Sequence, residues 1–193
     1  MGYFITIDGQ HGVGKSYLAE ILKERLSAKN YSVAVTHEPT NTEIGILARS
    51  SEQVCAGKPL ACLFAADRHQ HCELIKELLL LHDIVLCDRY LISSLILQNM
   101  DGVDFHFIMN LNNGVLSPNL QIVLYAEDSI IRDRLANKSL SRFAQQERVE
   151  KYDRFQFFKD ELKNLVGDIQ YMFNNSVHDI DLIFNYILQR LSN

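Results

Sequence analysis

The sequence predicts an α/β fold: a mostly parallel, five-stranded sheet with helices on both faces. Three observations predict it. Short apolar runs alternate with longer stretches of helical periodicity, so successive strands must be joined by crossovers. The runs Asp83 to Cys87 (DIVLC) and Leu120 to Ala126 (LQIVLYA) are almost continuously apolar, as strands buried on both faces are. No repeat, low-complexity tract or Pro/Gly/Ser linker interrupts the 193 residues, so one domain over 1–193 is expected.

Each element has its own warrant. Tyr3 to Asp8 (YFITID) is β-branched and aromatic and reads as the first buried strand. Gly14 to Lys29 follows as a helix, with Leu18, Ile21, Leu22 and Leu26 on one face and Lys23, Glu24 and Lys29 on the other. Tyr31 to Thr36 is the second strand, Asp83 to Cys87 the third and Leu120 to Ala126 the fourth, with Gln170 to Phe173 a short fifth. Helices are expected over Lys58 to Leu81, Leu91 to Gln98, Asp104 to Asn112, Ser129 to Ala136 and Asp153 to Leu165. A last helix runs from an Asp179 cap to Leu191, with Ile180, Ile183, Phe184, Ile187 and Leu188 facing inward. In such a sheet ligands bind beyond the carboxyl ends of the strands. The candidate positions are therefore Asp8 onward, His37-Glu38-Pro39 and Asp88-Arg89-Tyr90.

Composition narrows the function. Nineteen Lys and Arg against 24 Asp and Glu leave a net charge of −5, which argues against a general nucleic-acid or anionic-membrane binder. The apolar runs are too short to cross a bilayer, and no positive segment precedes the first of them, so no signal peptide is read. Cys55, Cys62, Cys72 and Cys87 form no CxxC pair and fit small core residues of a cytoplasmic protein. His69, His71 and His82 lack carboxylate or cysteine companions that would complete a metal set and read as ordinary helix positions.

Gly9-Gln10-His11-Gly12-Val13-Gly14-Lys15-Ser16 matches G-x-x-x-x-G-K-[ST] in full, between a predicted strand and a predicted helix. Glycines let the backbone curl until successive N–H groups face phosphate oxygens, and the helix N-terminus adds partial positive charge. Lys15 is placed to reach the β- and γ-phosphates and the Ser16 hydroxyl to ligate Mg²⁺. A nucleoside triphosphate, ATP by preference, is the expected ligand. Such a loop identifies a binder and leaves the reaction open.

Further motifs follow in order. They are Phe4 to Gly9 leading into the loop, Glu38-Pro39 with Ile44-Gly45 and Arg49, and Leu63-Phe64-Ala65-Ala66-Asp67-Arg68. Then come Asp88-Arg89-Tyr90 with Ser93-Ser94 and Gln98, Pro118-Asn119-Leu120, and a basic segment from Arg142 to Glu150 running on to Phe157-Phe158. With these the chain resembles, nearly end to end, the thymidylate kinase (dTMP kinase) family of P-loop nucleoside monophosphate kinases. The resemblance implies transfer of the γ-phosphoryl group of Mg·ATP to a nucleoside monophosphate, dTMP giving dTDP, by a homodimeric enzyme. It implies that Gly9 to Ser16 and Tyr17 bind ATP, and that Asp88 and Glu38 join Ser16 around Mg²⁺. Arg89 and Arg49 are then on the acceptor phosphate, with Glu38 and Pro39 beside the acceptor. Phe64 stacks on the base, Arg68 bonds a base carbonyl, and Ser94 and Gln98 read the base edge. Residues 137 to 151 become a helical lid carrying Lys138, Arg142, Arg148 and Lys151, with Arg148 the first choice for neutralising transferred charge and Arg142 the second.

On residue type alone, blander readings stand beside these. Asp88-Arg89 also fits a strand-end ion pair, Phe64 and Arg68 a core aromatic with a solvated cation, and Glu38 and Arg49 surface residues. Ser94 and Gln98 also fit plain polar helix positions, and the lid a solvated helix face of alternating charge. Three positions depart from the family pattern: His11 where an acid is usual, His37 where bacterial members often carry Arg, and Leu97 where an aromatic usually precedes Gln98. All lie around the acceptor. The alternatives are therefore a kinase for another nucleotide or a non-catalytic ATP-binding module.

Overall fold

The computed structural model describes residues 2–150 and 152–192. Strands β1 (Tyr3–Gly9), β2 (Val33–His37), β3 (Ile84–Asp88), β4 (Leu120–Tyr125) and β5 (Gln170–Phe173) form one parallel sheet in the order β2-β3-β1-β4-β5. The helices are α1 (Lys15–Ser27), α2 (Glu43–Ser51), α3 (Gly57–Leu81), α4 (Leu91–Met100), α5 (Phe105–Leu111), α6 (Asp128–Leu135), α7 (Arg142–Val149), α8 (Arg154–Phe157), α9 (Lys159–Val166) and α10 (Val177–Leu191).

Alternation along each strand divides the core in two. Ile5, Ile7, Leu86, Ile122 and Leu124 pack on α1 and α10 through Leu18, Leu22, Ile183 and Ile187. Phe4, Val85, Cys87 and Val123 pack on α3 and α4 through Ile75, Leu79, Ile92 and Ile96. Burying each such side chain contributes about 1.5–3 kcal/mol before conformational entropy is subtracted. Every α4 residue from Leu91 to Gln98 is buried within the chain itself. Its apolar character, which also fits a subunit contact, belongs to the core.

Two expectations are corrected and one element is new. The expected helix over 153–165 is broken at Phe158, whose ring sits edge-on to Phe105 at 5.4 Å, so tertiary packing overrides the helical period. The last helix is capped by Ser176, not by Asp179, which is the third helical residue and returns a bond to the Ser176 N–H at 3.0 Å, making a capping box. Helix α2 is an addition: Thr42 caps it by accepting from the Gly45 N–H at 3.2 Å.

Strands β2 and β3 end one residue later than their apolar runs suggest, because His37 and Asp88 still pair in register. Glu38 N donates to the Asp88 carbonyl at 3.0 Å and Arg89 N to the Ile7 carbonyl at 2.9 Å. The carboxyl ends of β1, β2 and β3 are thereby tied side by side, and the chemistry-bearing residues follow them. Among the described residues no helix is long and apolar enough to cross a membrane.

Candidate functional site

The glycine-rich loop curls from β1 into α1 through positive φ angles at Gly9 (138°), Gly12 (82°) and Gly14 (97°). A Cβ on Gly14 would lie 2.6 Å from Asn174 Nδ2, which instead donates to the Val13 carbonyl at 2.8 Å. Arg134, from α6, braces the same turn by donating to Val13 O at 2.9 Å and to Asn174 O at 3.0 Å. Val13 itself is fully buried, so it contributes its backbone to the loop and its side chain to the core. Lys15 Nζ folds inward onto the Gly9 and Gln10 carbonyls at 2.9 and 2.8 Å. Burial, then the Arg89 charge, pulls its amine down to about 7. A polyphosphate entering the loop would supply the counter-charge that this ammonium lacks.

Ser16 Oγ donates to Asp88 Oδ2, and Asp88 Oδ1 is buried without a partner among the described residues. A hydroxyl and a half-satisfied carboxylate at the loop's edge are the hard oxygen donors that Mg²⁺ takes. The groove above them, about 440 Å³, is lined also by Lys15, Tyr17, Arg134 and Lys138.

A second cavity of about 210 Å³ opens beside the loop, between α3 and α4. Phe64 and Arg68 stand one turn apart on α3, and Ser94 and Gln98 one turn apart on α4; all four line it, with Pro39, Arg49 and Leu97. Arg68 is fully buried and held from several sides. It donates to Glu38 Oε2 at 2.9 and 2.6 Å, to Asn112 Oδ1 at 2.8 Å and to Ser94 Oγ at 2.7 Å. Gln98 Nε2 donates to Ser94 Oγ at 3.2 Å. Arg49 donates to the Pro39 carbonyl at 2.6 Å and stays exposed at the mouth.

Glu38 is held from within the protein, its Oε2 by Arg68 and its Oε1 3.0 Å from His71 Nδ1, while it also lines, with Ser16 and Asp88, a cavity of about 270 Å³. One expectation changes here. His71 is no scattered helix position, since it is buried between Glu38 and Thr36 Oγ1, the latter at 2.7 Å from Nε2. Asp67, next to Arg68, clamps the Pro39 turn by accepting from Thr40 N at 2.8 Å.

Arg89 lines both the cavity and the groove. It adopts φ 70°, a left-handed conformation uncommon for a residue with a Cβ, and places Nη1 3.3 Å from Ser93 Oγ and 3.4 Å from the Gly9 carbonyl. Asp8 supports that turn from beneath. Its Oδ1 accepts from Tyr90 N and Ser93 N, each at 2.9 Å, and from Ser93 Oγ at 2.6 Å. Burial pushes the Asp8 carboxyl up despite these bonds.

The lid carries a further correction. Arg142 does not face the phosphate groove; it grips Asp101 through both Nη atoms, one at 2.7 Å, and donates to the Glu52 carbonyl at 2.7 Å. It anchors the lid. Arg148 is exposed on a cavity of about 560 Å³ between lid and α6, shared with Gln10 of the loop. Lys138 reaches the groove, and Lys151 lies outside the described residues. His11, where the family pattern has an acid, meets an acid from the lid: Glu147 Oε2 accepts from His11 N at 2.9 Å and lies 2.6 Å from Nδ1. Burial, then Arg89, holds the His11 imidazole below its usual range. Burial raises the Glu147 carboxyl, but the His11 hydrogen bonds and charge outweigh it and leave it low.

Sequence reasoning missed Asn174, which directly follows β5 and was within reach of the strand-end rule, and Arg134, which lies near the end of α6. It also missed Asp8 as a support, His71, Glu147 and the lid's Phe143, whose partners are far away in the chain.

Comparisons with known proteins agree on one family. The profile described as thymidylate kinase matches residues 7–187. A probable thymidylate kinase of Methanocaldococcus jannaschii is 36% identical over 140 residues, 71% of each chain. One from Caldivirga maquilingensis is 35% identical over 148 residues, 74% of this chain and 72% of its own. One from Pyrococcus horikoshii is 39% identical over 132 residues, and the match spans 64% of that relative. The crystal structure of a thymidylate kinase from Ehrlichia chaffeensis superposes with a TM-score of 0.68 at 24% identity over 98% of each chain, a likeness of fold.

Proposed function

The chain belongs to the thymidylate kinase family, and from that premise we propose that it transfers the γ-phosphoryl group of ATP to dTMP, giving dTDP. The observation that carries the reading is Arg89, which faces both the phosphate groove and the base cavity. A guanidinium on that shared wall holds the acceptor phosphate in line with the phosphate being transferred. Phe64 offers a flat apolar face to the base, while Arg68 and Gln98 bring donors to its edge. Lys15 turns from the loop carbonyls to the donor phosphates. Ser16 and Asp88 are the residues that would hold Mg²⁺, which when bound would neutralise charge on the donor phosphates. Arg148 is the lid cation assigned to the transferred group, and Arg142 keeps the lid in place. The acceptor phosphate is already an anion at neutral pH, so positioning and charge neutralisation suffice and no covalent nucleophile is needed.

A homodimer belongs to the same reading: Ile46 and Leu47 of α2 and Leu74 of α3 are exposed and offer an apolar face to a second copy. A cytoplasmic setting suits the ATP requirement and the four free cysteines. The test is purified protein incubated with ATP, Mg²⁺ and a panel of monophosphates. Formation of dTDP is expected. Another diphosphate in its place would overturn the acceptor, and no diphosphate at all would overturn the activity.

A further inference from the structure

Part of the acceptor cavity's wall is supplied by the lid, through Ser141 and Phe143. Phe143, in the first turn of α7, is 1% exposed and packs with Leu60 and Leu97 against Phe64. Its ring lines the cavity that Phe64, Arg68 and Gln98 line from the other elements. Its position is fixed on both sides. The Phe143 N–H donates to Glu52 Oε1 at 2.9 Å, and the Arg142 guanidinium lies 4.3 Å from the Phe143 ring centre while it grips Asp101. One helical turn on, Glu147 shares its face of α7 and closes on His11 of the phosphate loop.

We propose that Phe143 is an acceptor-specificity residue, which closes the base cavity against two-ring bases while Glu147 holds the lid on the phosphate loop. This rests on the kinase reading above and names what selects its acceptor. The cavity is small, about 210 Å³ against the roughly 300 Å³ at which small-molecule pockets usually begin, and Phe143, packed with Leu97 and Phe64, limits how long a base can lie in it, a limit that two fused rings meet before one ring does. Leu97, the residue before Gln98, and the lid's ring pack together on this wall. A rigid aromatic packed on both sides rejects by overlap, which discriminates more sharply than a missing contact.

The experiment is steady-state kinetics of the wild type, Phe143→Ala and Phe143→Leu with dTMP and with purine deoxynucleoside monophosphates at saturating ATP. Phe143→Ala is expected to raise the dTMP KM about tenfold or more and to shift the purine-to-dTMP ratio of kcat/KM upward by a similar factor. Phe143→Leu should restore most of the dTMP KM, and the ATP KM should stay within about twofold. Glu147→Ala, which leaves the cavity's own side chains in place, should raise the dTMP KM in the same direction by loosening the latch. If the wild type phosphorylates dTMP while both Phe143 variants keep its KM and its acceptor choice, the inference is overturned and the kinase reading stands. If the wild type phosphorylates no monophosphate, the kinase reading fails first and takes the inference with it.

Discussion

At the scale of single residues, the acceptor cavity depends on one buried ion pair. Glu38 and Arg68 are almost fully shielded from water, so removing one charge strands the other in a medium that penalises it. Glu38→Gln keeps the shape and removes the compensation. It should cost about 3 kcal/mol or more in denaturant unfolding and raise the dTMP KM, with the Mg²⁺ requirement unchanged. A several-fold rise in half-saturating Mg²⁺ with no loss of stability would place Glu38 at the metal. Asp153 presents the opposite case. Burial raises its carboxyl from 3.8 to about 6, and its Oδ2 has no partner among the described residues. Between those values the native state binds more protons than the unfolded one, so this group's contribution falls as pH rises from about 4 to about 6 and stays low above that. Asp153→Asn keeps the bond that caps α8 and removes the cost. The variant should be more stable than the wild type at pH 7.5, by up to about 3 kcal/mol of unfolding free energy, with the gap closing toward pH 4. An equal gap at both pH values would refute the assignment. Much at this scale was legible: the spacings Phe64–Arg68 and Ser94–Gln98 each mark one helical face, and all four residues reach one cavity. His71 was not, because its meaning lies in Glu38, 33 positions away, and a helical period carries no trace of that.

At the scale of elements, the strands were legible from continuous apolar runs, while their ends were not. His37 and Asp88 are polar residues kept in the ladder by register, which hydropathy does not report. Helix α4 shows the same separation between pattern and support. Its N-cap residue, Tyr90, offers no side-chain bond, and two of the orphan N–H groups at its start, those of Tyr90 and Ser93, go to Asp8 near the end of β1. The helix that presents Ser94 and Gln98 is thus hung from the strand that launches the phosphate loop. Asp8→Ala would leave Tyr90 N, Ser93 N and Ser93 Oγ without their common acceptor. A loss of about 1–3 kcal/mol is expected, or roughly 2–12 °C in Tm for a chain of this size. The dTMP KM should rise with it, because the same turn carries Arg89. A variant with wild-type Tm and KM would show that α4 holds its own N-terminus.

At the scale of the whole molecule, the two ligand sites share walls without sharing floors. The phosphate groove rests on β1, α1 and the brace from Arg134 and Asn174; the base cavity rests on α3 and α4; Arg89 and the lid touch both. Lys15 lines the groove and not the cavity, so its removal separates them. A ligand at 100 times its Kd stabilises the native state by about 2.7 kcal/mol, which for a chain of this length is about 5–10 °C in Tm. In the wild type, dTMP alone and ATP with Mg²⁺ should each give a shift of that order. In Lys15→Ala the ATP shift should collapse while the dTMP shift persists, since burial of the Lys15 ammonium is relieved only by phosphate. The unliganded variant should melt no lower than the wild type, because a buried cation that costs more than it returns is gone. Loss of both shifts would mean that loop and cavity form one cooperative site, and that the geometric division at Arg89 has no thermodynamic counterpart.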